Sequence, residues 1–283
     1  MTHRLSHRLV TALAAILVAA SPALAQRDNF EPHIGQPGKD VIWVPTPDEV
    51  VDRMLVMAQT TRNDYVIDLG SGDGKIAIAA AKRFGARALG IEYNPDMVKL
   101  SQKNAEAAGI ASKAVFRHGD IFATDFRQAS VITMYLLPAL NLKLRPQLLS
   151  MRPGTRIVSH SFHLDDWEAD EISSMDGRRV YFWVVPANVI GGWAMELSSG
   201  GNVRRHELNF EQRFQKIEGS ISLGPILAGL RNARLRGTEI SFAYVDHTAA
   251  RREFTGRVLG NKMEGSFRAE HGGEEGRWSA LKR

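Results

Sequence analysis

Val66-Ile67-Asp68-Leu69-Gly70-Ser71-Gly72-Asp73-Gly74-Lys75 is an apolar run that ends in a carboxylate and breaks into three glycines at alternate positions. An alanine-rich segment, 76–83, follows at once and stops near Gly85. The order predicts strand, tight turn and helix, the opening unit of a nucleotide-binding α/β domain. Glycine permits the positive φ such a turn needs and lets a ligand approach the main chain.

Spacing narrows the ligand. A Walker loop requires Gly-x4-Gly-Lys-Ser/Thr, but Gly74-Lys75 is followed by Ile76 and Leu69 stands five before Gly74. A dinucleotide fingerprint would place a third glycine where Lys75 stands. Asp68 and Asp73 put carboxylates where a pyrophosphate would have to lie. Those charges favour a cationic ligand, such as a sulfonium that also carries an ammonium.

The following segments keep the α/β alternation. A second strand over 88–91 ends in Glu92, 22 positions after Gly70, the interval at which a nucleotide fold sets an acid on the ribose hydroxyls. Pro95 opens a helix that Gly109 ends, and a third strand covers 114–117. Gly119-Asp120-Ile121-Phe122 closes that strand with an acid suited to an adenine amine and apolar residues suited to its ring. Upstream, Val50, Val51, Met54, Leu55 and Ala58 recur at helical spacing, with Asp48 or Thr46 as cap, so this helix could cover the ligand. A fourth strand, 130–134, ends at Tyr135-Leu136-Leu137-Pro138.

These residues carry a resemblance. Asp68-Leu69-Gly70-Ser71-Gly72-Asp73-Gly74, with Glu92 and Asp120 downstream, resembles the class I S-adenosylmethionine-dependent methyltransferases. Val44-Pro45-Thr46-Pro47, Val131-Ile132-Thr133-Met134-Tyr135-Leu136-Leu137-Pro138 and Pro153-Gly154-Thr155-Arg156-Ile157-Val158-Ser159 sharpen it. They resemble the seven-strand protein-lysine methyltransferases of the mitochondrial c-subunit and ADP/ATP-carrier type and their bacterial relatives. The resemblance spans about residues 41–186 and none of the tail. It implies S-adenosylmethionine as cofactor and a cofactor set of Thr46, Asp68, Gly70, Ser71, Gly72, Asp73, Gly74, Glu92, Asp120 and Ile121. Within that set, the three glycines would line the methionine part, Asp68 take its ammonium, Glu92 the ribose and Asp120 the adenine. Tyr135 and Pro138 are the catalytic candidates, beside the methyl group at the carboxyl ends of the strands.

Methyl transfer asks mainly for in-line positioning, because the sulfonium is already activated. The absence of a nucleophilic triad fits that chemistry, and no metal is expected. His160 and His163 straddle Phe162, but spacing places no third ligand beside them, so a structural histidine at a strand end is expected.

The 283 residues are 44% hydrophobic and 24% charged, the balance of a globular protein. The chain has no cysteine, which excludes disulfides, thiolate nucleophiles and zinc–cysteine sites. Net charge is +5, and the arginines of the second half are spread over several segments rather than clustered, which argues against nucleic acid as partner. Arg4, His7 and Arg8, an apolar run over 9–20 and Ala23-Leu24-Ala25 follow the plan of a signal peptide, residues 1–25. Export to the periplasm or medium is the expectation, with an uncleaved inner-membrane anchor as alternative. Residues 26–40 read as an extended lead-in.

After about residue 187 helical periodicity gives way to short alternating runs at 193–197, 203–210, 214–220, 233–235, 239–245, 253–259, 262–268 and 277–281. Gly200-Gly201-Asn202, Asp246-His247, Gly260-Asn261 and Gly272-Gly273 separate some of them as turns. The expected architecture is a Rossmann-like class I methyltransferase sheet over 41–187, followed by a smaller all-β antiparallel barrel or sandwich over 188–283. Gly219, Gly237, Gly256 and Gly265 would allow bends or bulges there. The functional expectation is methyl transfer to a protein lysine, with a small molecule as another acceptor and a membrane-associated protein among the possible substrates. The competing expectation is an exported binding protein with a vestigial methyltransferase fold.

Overall fold

The computed structural model describes residues 30–270 and 273–283. The signal-peptide pattern over 1–25 lies outside the described residues, as does Gly272. Among the described residues no helix is long and apolar enough to cross a membrane.

Two sheets organise the chain. The first has seven strands: β1 (Tyr65–Leu69), β2 (Arg87–Glu92), β3 (Ala114–His118), β4 (Val131–Met134), β5 (Arg156–His160), β6 (Glu171–Met175) and β7 (Arg178–Val184). Their order is β3-β2-β1-β4-β5-β7-β6. The first five pair in parallel, while β7 runs antiparallel to both β5 and β6. Helices α1 (Asp48–Met57), α2 (Lys75–Phe84), α3 (Pro95–Ala107) and α4 (Pro138–Leu149) cover the faces. Strands buried on both faces read as continuous apolar runs, which is why Val66-Ile67 and Val131-Ile132 are each 0% exposed. One core gathers α1, α2 and Val158, Val180 and Phe182; the opposite one gathers Ile67, Ile132, Ile157, Leu144 and Trp183. The strand order reverses beside β1, so a crevice opens beyond the carboxyl ends of β1 and β4.

α1 corrects one expectation. Neither Thr46 nor Asp48 caps it: Pro47 occupies that position without a side-chain cap bond. Asp48 and Glu49 lie in its first turn, where their charge complements the helix dipole. The Thr46 hydroxyl is engaged elsewhere, by His160.

The second sheet has nine strands: β8 (Gly191–Ser199), β9 (Asn202–Arg213), β10 (Lys216–Leu223), β11 (Ile226–Gly229), β12 (Arg231–Arg236), β13 (Glu239–Val245), β14 (Arg251–Leu259), β15 (Lys262–Ala269) and β16 (Glu275–Lys282). All are antiparallel, in the order β11-β10-β9-β8-β16-β15-β14-β13-β12. β10 approaches β12 and β11 approaches β13, so the sheet curls almost into a barrel. Its inside is filled by side chains: Trp193, Phe210, Phe242, Phe254, Phe267 and Trp278 are all buried, and Phe242 and Phe254 stack at 4.8 Å.

The tail differs from its sequence reading in three places. β11 has no counterpart among the expected runs, because its Ile226 and Leu227 are both exposed and give no alternation. Phe214 belongs to the turn before β10, where it takes φ 56° and stacks on Trp167 at 5.9 Å. Gly256 and Gly265 face each other across β14 and β15 and serve close packing rather than a bulge. A Cβ on Gly256 would lie 2.7 Å from Trp278 Cζ2. The register break falls between Arg231 and Arg234 instead.

Candidate active site

Register brings the first acid to the crevice. On β1, Asp68 pairs with Gly90 of β2 and Thr133 of β4. Thr133 Oγ1 donates to Asp68 Oδ1 at 2.7 Å, and both residues are buried. Burial pushes the Asp68 carboxyl up to about 7, and the nearby charges of Asp73 and Glu92 add to that rise; the Thr133 bond opposes it. An ionised carboxylate so poorly solvated is stabilised by an incoming cation.

The turn after β1 is built by glycines for two different reasons. Gly70 and Ser71 amides donate to Ile91 O at 2.9 and 3.1 Å, tying the turn to β2. Gly70 and Gly72 take φ 75° and 53°, and a Cβ on Gly72 would sit 2.7 Å from Trp43 Nε1. Gly74 also has positive φ, but its Cα faces Phe116 and Ser101, where a Cβ would lie 2.7 and 2.8 Å from their side chains. Its glycine therefore serves helix–sheet packing, and Gly74 lies outside the cavity lining.

Glu92, at the end of β2, accepts from the Gly72 amide through Oε2 and from the Asn94 amide through Oε1, both at 2.9 Å. Each oxygen retains a lone pair, enough for two hydroxyl donors. Asp73 Oδ1 accepts from the Lys75 amide at 3.2 Å, and burial raises its carboxyl above the usual range. Asp120 accepts from the Phe122 amide at 2.9 Å and from Lys39 Nζ at 2.6 Å; the Lys39 bond is the main reason its carboxyl is lowered.

Lys39 belongs to a strap over 36–46, of which the sequence had marked Thr46 alone as a site residue. Trp43 N donates to Gln36 O at 3.0 Å, Gly38 N to Val41 O at 2.9 Å, and Pro37 bridges Ile42, so the strap doubles back on itself. Gln36 Nε2 reaches Met97 Sδ at 3.6 Å, and Lys39 Nζ lies 4.6 Å over the Tyr93 ring. This segment, rather than α1, closes the side of the crevice.

The crevice holds a cavity of about 310 Å³, within the range of small-molecule sites. Its wall carries five carboxylates (Asp40, Asp68, Asp73, Glu92, Asp120) against two ammonium groups (Lys39, Lys75). Thr46, Asp68, Gly70, Ser71, Gly72, Asp73, Glu92, Asp120, Ile121 and Tyr135 all line it. Pro138 does not: it occupies the first turn of α4, where its missing N–H leaves no donor unpaired. Phe122 also lies outside the lining, beneath Lys143 Nζ at 3.8 Å. Leu137, Leu140 and Phe162 form apolar wall that the sequence reading did not assign.

His160 ends β5. Its Nδ1 lies 3.2 Å from Thr46 Oγ1, and its ring centroid is 4.0 Å from that of Tyr135. His163 instead accepts from the Asp165 amide through Nδ1 at 3.0 Å. Among the described residues no group of three or more His, Cys, Asp or Glu is placed to hold a metal.

Comparison with known proteins settles the family. A profile of the ANTKMT methyltransferase domain matches residues 68–171. A protein-lysine N-methyltransferase of Saccharolobus islandicus is 39% identical over 163 residues, which are 56% of this chain and 97% of that protein. The chain belongs to the ANTKMT-type class I S-adenosylmethionine-dependent methyltransferases. The methyltransferase is also 34% identical over 129 residues to the mouse ATP synthase c-subunit lysine N-methyltransferase; it spans about half of that relative, and the match takes in 45% of this chain. Among solved structures, an RNA methyltransferase from Salinibacter ruber in complex with S-adenosyl-L-homocysteine is 49% identical, with a TM-score of 0.51. That likeness covers 52% of this chain and 96% of the other. S-adenosylmethionine is the cofactor, and the acid-lined cavity with its buried, uncompensated Asp68 fits a ligand that carries both an ammonium and a sulfonium. These relatives lend no support to a vestigial, non-enzymatic fold.

Proposed function

We infer that the acceptor is a lysine side-chain amine of a protein. The observation that carries this reading is the 39% identity shared with a protein-lysine N-methyltransferase along nearly all of that protein's length. The relatives named for the ATP synthase c-subunit and the adenine nucleotide translocase support a protein acceptor.

Bound S-adenosylmethionine supplies a methyl group already activated on sulfur. In this reading the Asp68 carboxylate accepts from its ammonium, and the Gly70 and Gly72 main chain lets the methionine part lie close. Glu92 offers one free lone pair on each oxygen to the ribose hydroxyls. Asp120 and Ile121 would hold the adenine amine and ring, and the 36–46 strap with Trp43 would cover the cofactor's outer side. Asp68, Asp73, Glu92 and Asp120 would surround the cofactor, while Tyr135, Leu137 and Phe162 make an aromatic and apolar wall. A lysine amine entering along that wall loses hydration, which lowers its pKa and favours the neutral nucleophile. Tyr135 orients it through its ring face or hydroxyl. With the cofactor held there, Tyr135 and the apolar wall would align the neutral amine for in-line transfer, which asks for alignment more than proton transfer.

RNA is the second reading, since the Salinibacter ruber protein at 49% identity is named an RNA methyltransferase. Five carboxylates on the cavity wall disfavour approach of a phosphodiester chain. Incubation with tritiated S-adenosylmethionine, in parallel with membrane-extract proteins, a lysine peptide array and total RNA, separates the two. Label on lysine, placed by mass spectrometry, is the expected result; label on RNA alone would overturn it.

The basic-then-apolar order of residues 4–25 supports an exported or inner-membrane-held protein, and a membrane-associated acceptor would suit that place. Fractionation of a tagged chain tests this: recovery in the soluble cytoplasmic fraction would refute it.

A further inference from the structure

His160 is 2% exposed, and its two nitrogens have unequal fates. Nδ1 pairs with the Thr46 hydroxyl, whereas Nε2 is buried and has no hydrogen-bond partner among the described residues. An imidazole with one stranded nitrogen is a poor way to fill apolar space, because an unpaired buried polar atom destabilises the fold. Phenylalanine would pack there without that defect. The one bond the ring does make runs to a residue of the cavity wall, and the ring packs at a 40° tilt against Tyr135, another wall residue. Tyr135 in turn stacks on Phe162 at 6.2 Å.

Burial pushes the His160 imidazole down to about 4, with the Arg178 charge acting the same way. So weak a base is poorly matched to a lysine ammonium. A ring that stays neutral, by contrast, adds no charge beside a sulfonium or an approaching amine.

We propose that His160 is a positioning residue for methyl transfer, which fixes the Thr46 hydroxyl through Nδ1 and the Tyr135 ring by close, tilted ring contact. This rests on the assignment of the cavity as cofactor and acceptor site. The two wall residues come from distant parts of the chain, one just before α1 and one just after β4, and His160 at the end of β5 touches both. Its effect falls on alignment at the transferring methyl rather than on cofactor affinity.

The test compares His160→Phe, which keeps a ring but loses the Thr46 bond, with His160→Asn, whose amide reaches the position of Nδ1. Initial rates of methyl transfer from tritiated S-adenosylmethionine to membrane-extract proteins give kcat, and calorimetry with S-adenosylhomocysteine gives Kd. His160→Phe should lower kcat about 10- to 100-fold, with Kd changed less than about threefold, the scale expected for sub-ångström misplacement. His160→Asn restores the Thr46 bond without the ring and should recover part of the rate, above that of His160→Phe. Thr46→Val breaks the same bond from the other side and carries the test should His160→Phe fail to fold; its kcat should fall on the same scale. A wild-type rate in His160→Phe, equal rates in the Phe and Asn variants, or a rate loss matched by a loss of cofactor affinity would each overturn the proposal. Absence of S-adenosylhomocysteine binding by the wild type would overturn instead the cavity assignment on which it rests.

Discussion

Removal of the Asp68 charge should move stability and cofactor affinity in opposite directions. In the cofactor-free protein the Asp68 carboxyl stands at about 7 rather than 3.8, chiefly through burial. The folded state therefore holds the proton more tightly than the unfolded chain does. The resulting destabilisation is absent below pH 3.8, grows between 3.8 and about 7, and is complete above. A rise of about three pH units at 1.36 kcal/mol each gives about 4 kcal/mol at pH 8. Asp68→Asn abolishes this, so the cofactor-free variant should melt higher than wild type at pH 8 and about equally at pH 4. Cofactor binding reverses the balance, because an ammonium on Asp68 favours the ionised form. Wild-type affinity for S-adenosylhomocysteine should rise up to about tenfold per pH unit between pH 5 and 7 and then level off, with proton release on binding below pH 7. Calorimetry in two buffers of different ionisation enthalpy counts those protons. Asp68→Asn should bind at least about 100-fold more weakly at pH 8 and show no such slope. A flat wild-type affinity from pH 5 to 7, or wild-type binding by Asp68→Asn, would refute the reasoning.

Other consequences follow from contacts around the cavity and in the second sheet. Gly72→Val demands φ 53° of a β-branched residue and sets its Cβ 2.7 Å from Trp43 Nε1, so calorimetry should find cofactor binding lost while circular dichroism stays folded. Lys39→Met removes the tie between the strap and Asp120, and stopped-flow measurement should show cofactor dissociation at least about threefold faster; an unchanged rate would mean that the strap holds without it. Gly256→Val meets Trp278 Cζ2 at 2.7 Å and should lower stability by about 1–3 kcal/mol in thermal melts, yet leave S-adenosylhomocysteine affinity unchanged because the second sheet adds nothing to the cavity lining.

Much of the fold was legible because its signals are local. The glycine turn, the alanine-rich α2 and the acid at the end of β2 each follow from neighbours within a few residues, and so do Pro95 and Gly109 at the ends of α3. The alternating runs of the second sheet were legible for the same reason, since one face of each strand is buried against aromatic rings. β6 and β11 went unmarked because their patterns are mostly exposed and lack that alternation.

What the sequence by itself determined is the chemistry of the site: carboxylates in place of phosphate-binding donors, and hence a cationic cofactor on an α/β turn. Only the tertiary structure decided which residues share the cavity. It separated Gly72, held against Trp43, from Gly74, held against Phe116, although both have positive φ and the same spacing. Parallel pairing set Thr133 beside Asp68, 65 residues away, and chain reversal laid Lys39 on Asp120, 81 residues away. Thr46 turned from a helix cap into the partner of His160, 114 residues on. Such contacts depend on register and on where a loop returns, and no window of sequence contains both partners.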